Sequence, residues 1–285
     1  TKLKVEKFEK LNSILEGGID IIVVGVSSIG IKWFVDQISK NYRKNLPIIL
    51  LTKGLAIEEN ELITLSDKIK KLLKEKGHTE INISAIKGPC LAAGLANKMR
   101  TGTVIANPDI KEAKLLKKII STDYYSTEIS DDLMGIELSG AIKNIYSMLI
   151  GASEGLSNSN ASKEIQSKYY LNTSASLIHR SISEMVEFVS HYGGNVETVY
   201  GLAGLGDLYV SAIGGRNSLM GKYLGEGYLY KEAKEKFMKN ITVEGAQLAL
   251  EIGPKILQDL NPKHFPLMFS MLNTICENKK LKIDW

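Results

Sequence analysis

The sequence contains little cysteine and little histidine. Its 285 residues include two cysteines, Cys90 and Cys276, and four histidines. Two cysteines that are far apart exclude a disulfide framework and a four-cysteine zinc site, and no two histidines have the spacing of a metal-binding pair. We therefore expect no metal ion, and we expect the protein to reside in a reducing compartment, the cytoplasm.

Long apolar runs and a strong charge of one sign are also missing. No apolar run approaches the roughly 20 residues that span a bilayer, and the first residues show no apolar segment typical of a signal peptide. Lys and Arg number 36 against 32 Asp and Glu, a net charge of +4, which is too small to indicate nucleic-acid binding. With 44% hydrophobic residues, the composition predicts a globular protein that neither binds nucleic acid nor inserts stably into membranes.

Short apolar runs with β-branched residues recur through the first 130 residues. They cover residues 19–26, 48–51, 81–86 and 103–106. Each run is too short for a buried helix, which favours buried strands. Lysine-rich amphipathic segments lie between them, for example residues 59–76, whose leucines recur at helical spacing. This alternation predicts an α/β domain with a parallel sheet over residues 1–130.

The strand pattern stops near Ser130, and helical patterns follow to the end of the sequence. Glycine, asparagine and serine separate the periodic segments. The predicted helices cover residues 131–151, 161–193, 217–224, 230–239 and 244–260. We therefore expect a second, all-helical domain over residues 131–285.

Candidate ligand-binding residues follow two of the predicted strands. In open parallel sheets, ligands bind beyond the carboxyl ends of the strands. Lys53 stands there, next to Gly54, where it either binds an anion or is a solvated turn lysine. Gly88 and Pro89 follow a second strand and precede a predicted helix, so the free N–H groups of that helix suit an anion or an amide. The Gly-Pro pair is also common in ordinary turns.

The helix predicted from residue 131 carries a lysine among apolar residues. Gly140, Lys143, Asn144 and Ser147 share one face of it, apart from the packing stripe. A lysine in such a helix either extends to water or lies in a cleft. In a cleft, desolvation lowers its pKa, which makes it a candidate general acid or base.

Two glycine-rich segments follow in the helical half. Residues 201–208 (GLAGLGDL) follow no strand, so they predict a loop between helices that presents Asp207, either as a functional group or as a solvated residue of a flexible joint. Gly215, Arg216 and Asn217 precede a predicted helix. A guanidinium beside free helical N–H groups suits a phosphate, although an exposed loop arginine explains the residues equally.

Taken together, these motifs resemble the NAD(P)-dependent glycerol-3-phosphate dehydrogenase family over residues 20–250. The segments that match in order and spacing are Thr52-Lys53-Gly54, Gly88-Pro89, residues 137–144 (ELSGAIKN), residues 201–208 and Gly215-Arg216-Asn217. The resemblance implies a Rossmann-like domain followed by a helical substrate domain. It also implies the interconversion of sn-glycerol 3-phosphate and dihydroxyacetone phosphate, with NAD or NADP as cofactor, in a cytoplasmic homodimer.

The resemblance further implies roles for individual residues. Lys143 corresponds to the general acid/base, and Lys53 to its partner near cofactor and substrate. The implied substrate-binding residues are Lys53, Gly88, Cys90, Asn144, Asp207, Gly215, Arg216 and Asn217. The implied cofactor-binding residues are Lys53, Ala92, Arg216 and Glu244.

The sequence also departs from the family pattern. Cys90 stands where the family has Ser or Thr, and Ala93-Gly94 replace a Lys-Glu pair. The family's first strand with its G-x-G-x-x-G turn does not occur in the 285 residues, and Ser27-Ser28-Ile29-Gly30 does not replace it. We therefore expect residues 1–130 to form only part of a dinucleotide-binding domain. The alternatives are an inactive relative that binds a phosphorylated metabolite and a related hydroxyacid or ketopantoate-type reductase.

Overall fold

The computed structural model describes residues 4–157 and 162–283. A five-stranded sheet and a two-stranded hairpin occupy the first half of the chain, and helices occupy the second half. The strands are β1 (Ile22–Val24), β2 (Ile48–Leu50), β3 (Leu55–Glu58), β4 (Glu61–Thr64), β5 (Ile83–Lys87), β6 (Thr101–Ala106) and β7 (Tyr125–Ser130). The helices of the first half are α1 (Leu11–Glu16), α2 (Ile31–Ile38), α3 (Leu65–Glu75), α4 (Ala92–Ala96) and α5 (Ile110–Ile120). Those of the second half are α6 (Leu133–Gly151), α7 (Ser153–Leu156), α8 (Lys163–Tyr169), α9 (Leu171–His191), α10 (Glu197–Tyr200), α11 (Asp207–Ile213), α12 (Arg216–Gly225), α13 (Tyr230–Phe237), α14 (Glu244–Asp259) and α15 (Pro266–Cys276).

The main sheet has the strand order β1-β2-β5-β6-β7. Its pairs are parallel except β5 with β6, where Ile86 lies opposite Ile105 in antiparallel register. The prediction of an α/β fold with a parallel sheet is therefore confirmed, with one antiparallel pair as a correction. The connection from β5 to β6 contains only the five-residue helix α4, and antiparallel strands need a shorter connection than a parallel crossover.

A hairpin replaces the start of the helix that we predicted over residues 59–76. β3 and β4 pair through a two-residue turn at Glu59 and Asn60, whose φ angles are 50° and 66°. Two consecutive positive φ angles define the turn that matches the natural twist of a hairpin. Helix α3 then begins at Leu65, because the hydroxyl oxygen of Thr64 accepts a hydrogen bond from the Asp67 N–H and caps it.

Helix α6 lies at the centre of the helical half. Residues 135–150 are buried without interruption, and the helix packs against α9, α11, α12, α14 and α15. Three glycines of neighbouring helices lie directly on the backbone of α6: Gly221 and Gly225 of α12 and Gly245 of α14. A side chain at any of them would overlap a backbone oxygen of α6 or of Ala152, which follows α6. These contacts allow the helices to approach more closely than side chains would permit.

The predicted helices of the second half differ in detail from the observed ones. The segment predicted as one helix over residues 161–193 contains two helices, α8 and α9, with Tyr170 between them, and its first residue lies outside the described part of the chain. Helix α15, which is largely buried, was not predicted. The transition from β7 to α6 lies at residues 131–132; that it separates two domains stays a prediction.

The first turn of α6 is shared between two hydrophobic cores. Leu133 and Ile136 belong to the core beneath the sheet, whereas Leu138 and the apolar residues that follow belong to the helical core. The two halves of the chain are therefore packed together at this helix. In the described residues, no helix is long and apolar enough to cross a membrane.

Candidate active site

A cleft of about 730 Å³ lies at the carboxyl ends of β1 and β2 and faces helices of the second half. Its lining contains many polar and charged residues from both halves of the chain. The lining residues used below are Ser28, Lys53, Cys90, Ala92, Lys143, Asp207, Ser211, Arg216, Glu244, Gln247 and Glu251. This is the position at which open α/β sheets bind ligands.

Two lysines and one carboxylate form the centre of the cleft. The Lys53 Nζ lies 2.5 Å from Oδ2 of Asp207, and the Lys143 Nζ lies 3.0 Å from Oδ1 of the same residue. Lys143 also donates a hydrogen bond to the Ser211 hydroxyl. Each oxygen of the Asp207 carboxylate thus binds one ammonium group, and the cluster of three side chains carries a net positive charge when both lysines are protonated.

Burial changes the acidity of Lys143. Its side chain is 4% exposed, and desolvation, followed by the nearby charge of Lys53, lowers its pKa to about 8, although the Asp207 carboxylate opposes this change. A lysine with a pKa near 8 exchanges protons readily at physiological pH. The structure therefore places Lys143 in a cleft rather than extended to water.

Asp207 is buried, and Lys53 is partly exposed but paired. The Lys53 side chain is 30% exposed and that of Asp207 is 4% exposed, and they form an ion pair across the cleft. Asp207 begins helix α11, after a π-helical turn at Leu202–Gly206. The prediction of a loop over residues 201–208 is therefore wrong. Gly204 allows a close approach of the backbone, because a side chain there would overlap the Val199 carbonyl oxygen.

Arg216 lies at a second part of the cleft. It is the first residue of α12, follows Gly215 with its φ of 112°, and forms a half-exposed salt bridge of 2.5 Å with Glu244. A side chain would be strained at that φ, which accounts for the glycine. The guanidinium and the first N–H groups of α12 stand at the same helix end.

Asn144 and Asn217 lie between helices, outside the lining of the cleft. Both are buried, and the Asn217 amide donates to the Asn144 side-chain oxygen at 3.0 Å while accepting from the Gly245 N–H at 2.9 Å. They link α6, α12 and α14 and do not line the cleft. A direct contact of either residue with substrate stays a prediction.

The segment after β5 brings Cys90 and Ala92 to the cleft. Gly88 itself lies against β6, with a φ of 136°, and a side chain there would come within 3.0 Å of the Thr103 Cα. Only glycine therefore suits this turn. Burial raises the pKa of the half-buried Cys90 thiol, so the thiol is protonated at neutral pH.

Several cleft residues were not singled out from the sequence. Ser28 donates hydrogen bonds of 3.1 Å to both carboxylate oxygens of Glu251, which also accepts from the Gln247 amide at 2.9 Å. Ser28 and Glu251 come from opposite halves of the chain, so no local pattern indicates their contact. Ser211 stands one helical turn after Asp207, and that spacing could have indicated it.

The cleft is lined partly by small residues, Gly25, Ser27 and Ala92, which obstruct a flat ring less than large side chains would. A glycine-rich turn for a pyrophosphate does not occur in the 285 residues. Among the residues that the structure describes, no group of three or more His, Cys, Asp or Glu side chains could hold a metal ion.

An open α/β sheet with a ligand cleft beyond the carboxyl ends of its strands is the arrangement in which Rossmann-type proteins bind nicotinamide dinucleotides. Comparison with known families specifies the class further. The family described as NAD-dependent glycerol-3-phosphate dehydrogenase matches with its C-terminal part at residues 132–283 and with its N-terminal part at residues 4–113. The chain belongs to this family, which confirms the resemblance found in the sequence.

Individual relatives agree with this assignment. The chain is 32% identical to the NADP(+)-dependent glycerol-3-phosphate dehydrogenase of Archaeoglobus fulgidus, over 88% of this chain and 73% of that protein. It is 35% identical to the glycerol-3-phosphate dehydrogenase [NAD(P)+] of Mesoplasma florum, over 89% of this chain and 72% of that one. The crystal structure of the Coxiella burnetii glycerol-3-phosphate dehydrogenase superposes with a TM-score of 0.76 at 28% identity, covering 93% of this chain and 75% of that one.

Proposed function

We propose that the protein interconverts sn-glycerol 3-phosphate and dihydroxyacetone phosphate with NAD or NADP as the hydride carrier. The observation that carries the proposal is the Lys53–Asp207–Lys143 cluster in the cleft, in a chain of this family. Membership of the family does not favour a ketopantoate-type reductase.

The cluster suits the transfer of a proton to and from an alcohol. Oxidation of the alcohol removes one hydride and one proton, and when bound the nicotinamide accepts the hydride. Lys143 in its neutral form takes the hydroxyl proton, and in its charged form returns it in the reverse direction. Lys53 stabilises the negative charge that develops on the oxygen, and Asp207 holds both ammonium groups in place.

Arg216 suits the phosphate group of the substrate. Its guanidinium has five donors, so it can bind a phosphate while it keeps one hydrogen bond to Glu244. The N-terminus of α12, after Gly215, adds free N–H groups and a favourable dipole. Binding the phosphate away from the reacting carbon orients the substrate towards the lysines. Asn217 and Asn144 fix α12 against α6 and so support both ends of this arrangement.

The cofactor contacts lie in the same cleft as the lysine cluster in our proposal. Lys53, Ala92, Arg216 and Glu244 are the cleft residues that we assign to cofactor contact, and Gly88 and Cys90 shape the loop beside the substrate. We place the domain boundary near Ser130, with a dinucleotide-binding domain before it and a helical substrate domain after it. The proposed assembly is a homodimer, and the proposed location is the cytoplasm.

The test uses the product of the whole reading frame that contains these 285 residues. Dihydroxyacetone phosphate should cause loss of NADH or NADPH absorbance, and Lys143→Ala should abolish that loss. Lys114→Ala, at an exposed position of α5, is the matched control and should not change the rate. Absence of turnover with both nucleotides would contradict the proposal. Binding of glycerol 3-phosphate without turnover would favour the inactive relative.

A further inference from the structure

Lys87 is a fully buried lysine that lies outside the lining of the cleft. It is the last residue of β5 and is 2% exposed. Its Nζ donates to the Thr52 carbonyl oxygen at 2.6 Å and to the Leu50 carbonyl oxygen at 3.3 Å. Burying an ammonium group is costly unless it is hydrogen-bonded and its charge is balanced. A residue of this kind therefore needs an explanation.

The two carbonyl groups belong to the segment that carries Lys53. β2 pairs with β5 as far as Leu50 opposite Ala85, and Thr52 lies two residues further on, directly before Lys53. The Thr52 hydroxyl donates to the Val26 carbonyl oxygen at 2.6 Å. Thr52 is thus fixed on one side by the chain after β1 and on the other by the Lys87 ammonium.

Helix α6 provides the space and the balancing charge for Lys87. A side chain at Gly140 would lie 3.2 Å from Cγ and Cδ of Lys87, so the lysine chain lies against a glycine. Glu137 lies one turn before Gly140 in the same helix and is buried. One of its carboxylate oxygens accepts from the Ser66 N–H at 3.3 Å, and the other has no partner in the described part of the structure. Burial lowers the pKa of Lys87 to about 8 and raises that of Glu137, and the opposite charge of each partner counteracts the effect.

We propose that Lys87 is a positioning residue for Lys53, and that Gly140 is the space that Lys87 requires. This inference rests on the proposed function, because it concerns a lysine of the same cluster. Lys87 does not touch the cleft; it fixes the carbonyl group next to Lys53 and thereby the reach of the Lys53 ammonium towards Asp207. A displacement of about 1 Å at such a site lowers a rate up to about a hundredfold.

The position of Lys53 also affects the pKa of Lys143. The charged groups that face Lys143 are Lys53, Asp207 and Glu244, and the Lys53 charge lowers the Lys143 pKa. If the segment around Thr52 loosens, the Lys53 ammonium moves away and Asp207 pairs with Lys143 alone. The pKa of Lys143 then rises, and the pH dependence of the reaction shifts to higher pH.

The main test is the double variant Lys87→Met/Glu137→Gln, which removes both buried charges together so that neither is left unpaired. In the active protein we expect kcat/KM for dihydroxyacetone phosphate to fall at least about tenfold and the pH–rate profile to shift to higher pH. Glu137→Gln alone is the comparison. It keeps Lys87 and its two hydrogen bonds but removes the balancing charge, so it should lower the Tm and reduce kcat/KM less than the double variant does. Amide hydrogen exchange in the segment 51–54 should increase in the double variant only.

A second variant tests the contact with Gly140. Gly140→Ala should lower kcat/KM in the wild-type background, since its methyl group displaces the Lys87 chain, and should have little further effect in the Lys87→Met background. Non-additivity of this kind identifies a direct interaction.

Unchanged kcat/KM and pH profile in the double variant, with or without a lower Tm, would overturn the inference and leave Lys87 a structural residue. If the wild-type protein shows no turnover, the proposed function fails. The exchange measurement then decides the Lys87 inference alone, because no increase in segment 51–54 overturns it.

Discussion

Asp207→Asn should reduce both catalysis and stability, and it should shift the pH dependence to lower pH. Asp207 is the negative partner of two ammonium groups at 2.5 Å and 3.0 Å. At an effective dielectric constant of about 20, two charges 3.0 Å apart attract each other by about 5.5 kcal/mol, which desolvation of both groups partly offsets. Removing one partner of a buried pair costs about 3 kcal/mol, and we expect a loss of that size in the free energy of unfolding.

The direction of the pH change follows from the charges around Lys143. The Asp207 carboxylate raises the Lys143 pKa, whereas burial and Lys53 lower it to about 8. Without the carboxylate, the two lowering influences are opposed only by the weaker effect of Glu244. The pH at which Lys143 becomes neutral therefore falls, and the rise of kcat/KM for alcohol oxidation should move to lower pH, with at least about a hundredfold lower maximum.

The assay is kcat/KM for glycerol 3-phosphate oxidation across pH, combined with urea unfolding. Asp132→Asn is the matched control: Asp132 accepts from the Gly135 N–H at 2.8 Å with one oxygen and from the Asn195 N–H at 3.0 Å with the other. An asparagine caps a helix about as well as an aspartate but cannot accept at both positions, so stability should fall by about 1 kcal/mol without a shift of the pH profile. A shift to higher pH in Asp207→Asn, or none, would refute the reasoning about the cluster.

Three further predictions concern other parts of the molecule. Burial raises the pKa of Glu184 from 4.5 to about 7, so between these pH values the folded protein keeps a proton that the unfolded chain has released. The free energy of unfolding should therefore fall as the pH rises from about 4.5 to about 7. Urea unfolding of Glu184→Gln should show a weaker dependence of this free energy on pH. Gly221→Ala should lower the free energy of unfolding by about 2 kcal/mol, because its methyl group overlaps the Met148 carbonyl oxygen. Gly214→Ala should have little effect, because no atom lies within 4 Å of the added methyl group. Equal losses of unfolding free energy in the two variants would contradict the packing argument. The 285-residue chain alone should bind NADH weakly or not at all in calorimetry, because its sequence has no glycine-rich turn after a strand; tight binding would show that another segment holds the pyrophosphate.

The order of sheet and helices could be predicted because the two hydrophobic periods differ. β7 was missed because its residues, YSTEIS, are mostly polar and form no apolar run. The hairpin before α3 was missed because its strands are short, although Asn60, a residue that tolerates positive φ, was a local signal for the turn. The bounds of these elements depend on pairing partners that are distant in the sequence.

The types of candidate residue were also accessible from the sequence, but their arrangement was not. Lys53, Lys143 and Asp207 each stood in a recognisable motif, and each had an ordinary structural explanation until their distances were known. Lys87 stands before a glycine at the end of a predicted strand, as Lys53 does, and this pattern predicts an anion site or a solvated lysine. Its actual role was missed because its partners are backbone carbonyl groups. Burial and long-range hydrogen bonds, which decide such cases, are properties of the folded chain.

The sharing of α6 between two cores bears on how the cleft admits a ligand. Because Leu133 and Ile136 pack in the core of the sheet while the rest of the helix packs among helices, a rotation of one half of the chain against the other would separate buried contacts of this helix. Ser28 and Glu251, which line the cleft from the two halves, are joined only by hydrogen bonds, which side-chain rotation can break within nanoseconds. We therefore expect ligand entry to depend on side-chain motion at this contact and not on the slower opening of one half of the molecule against the other.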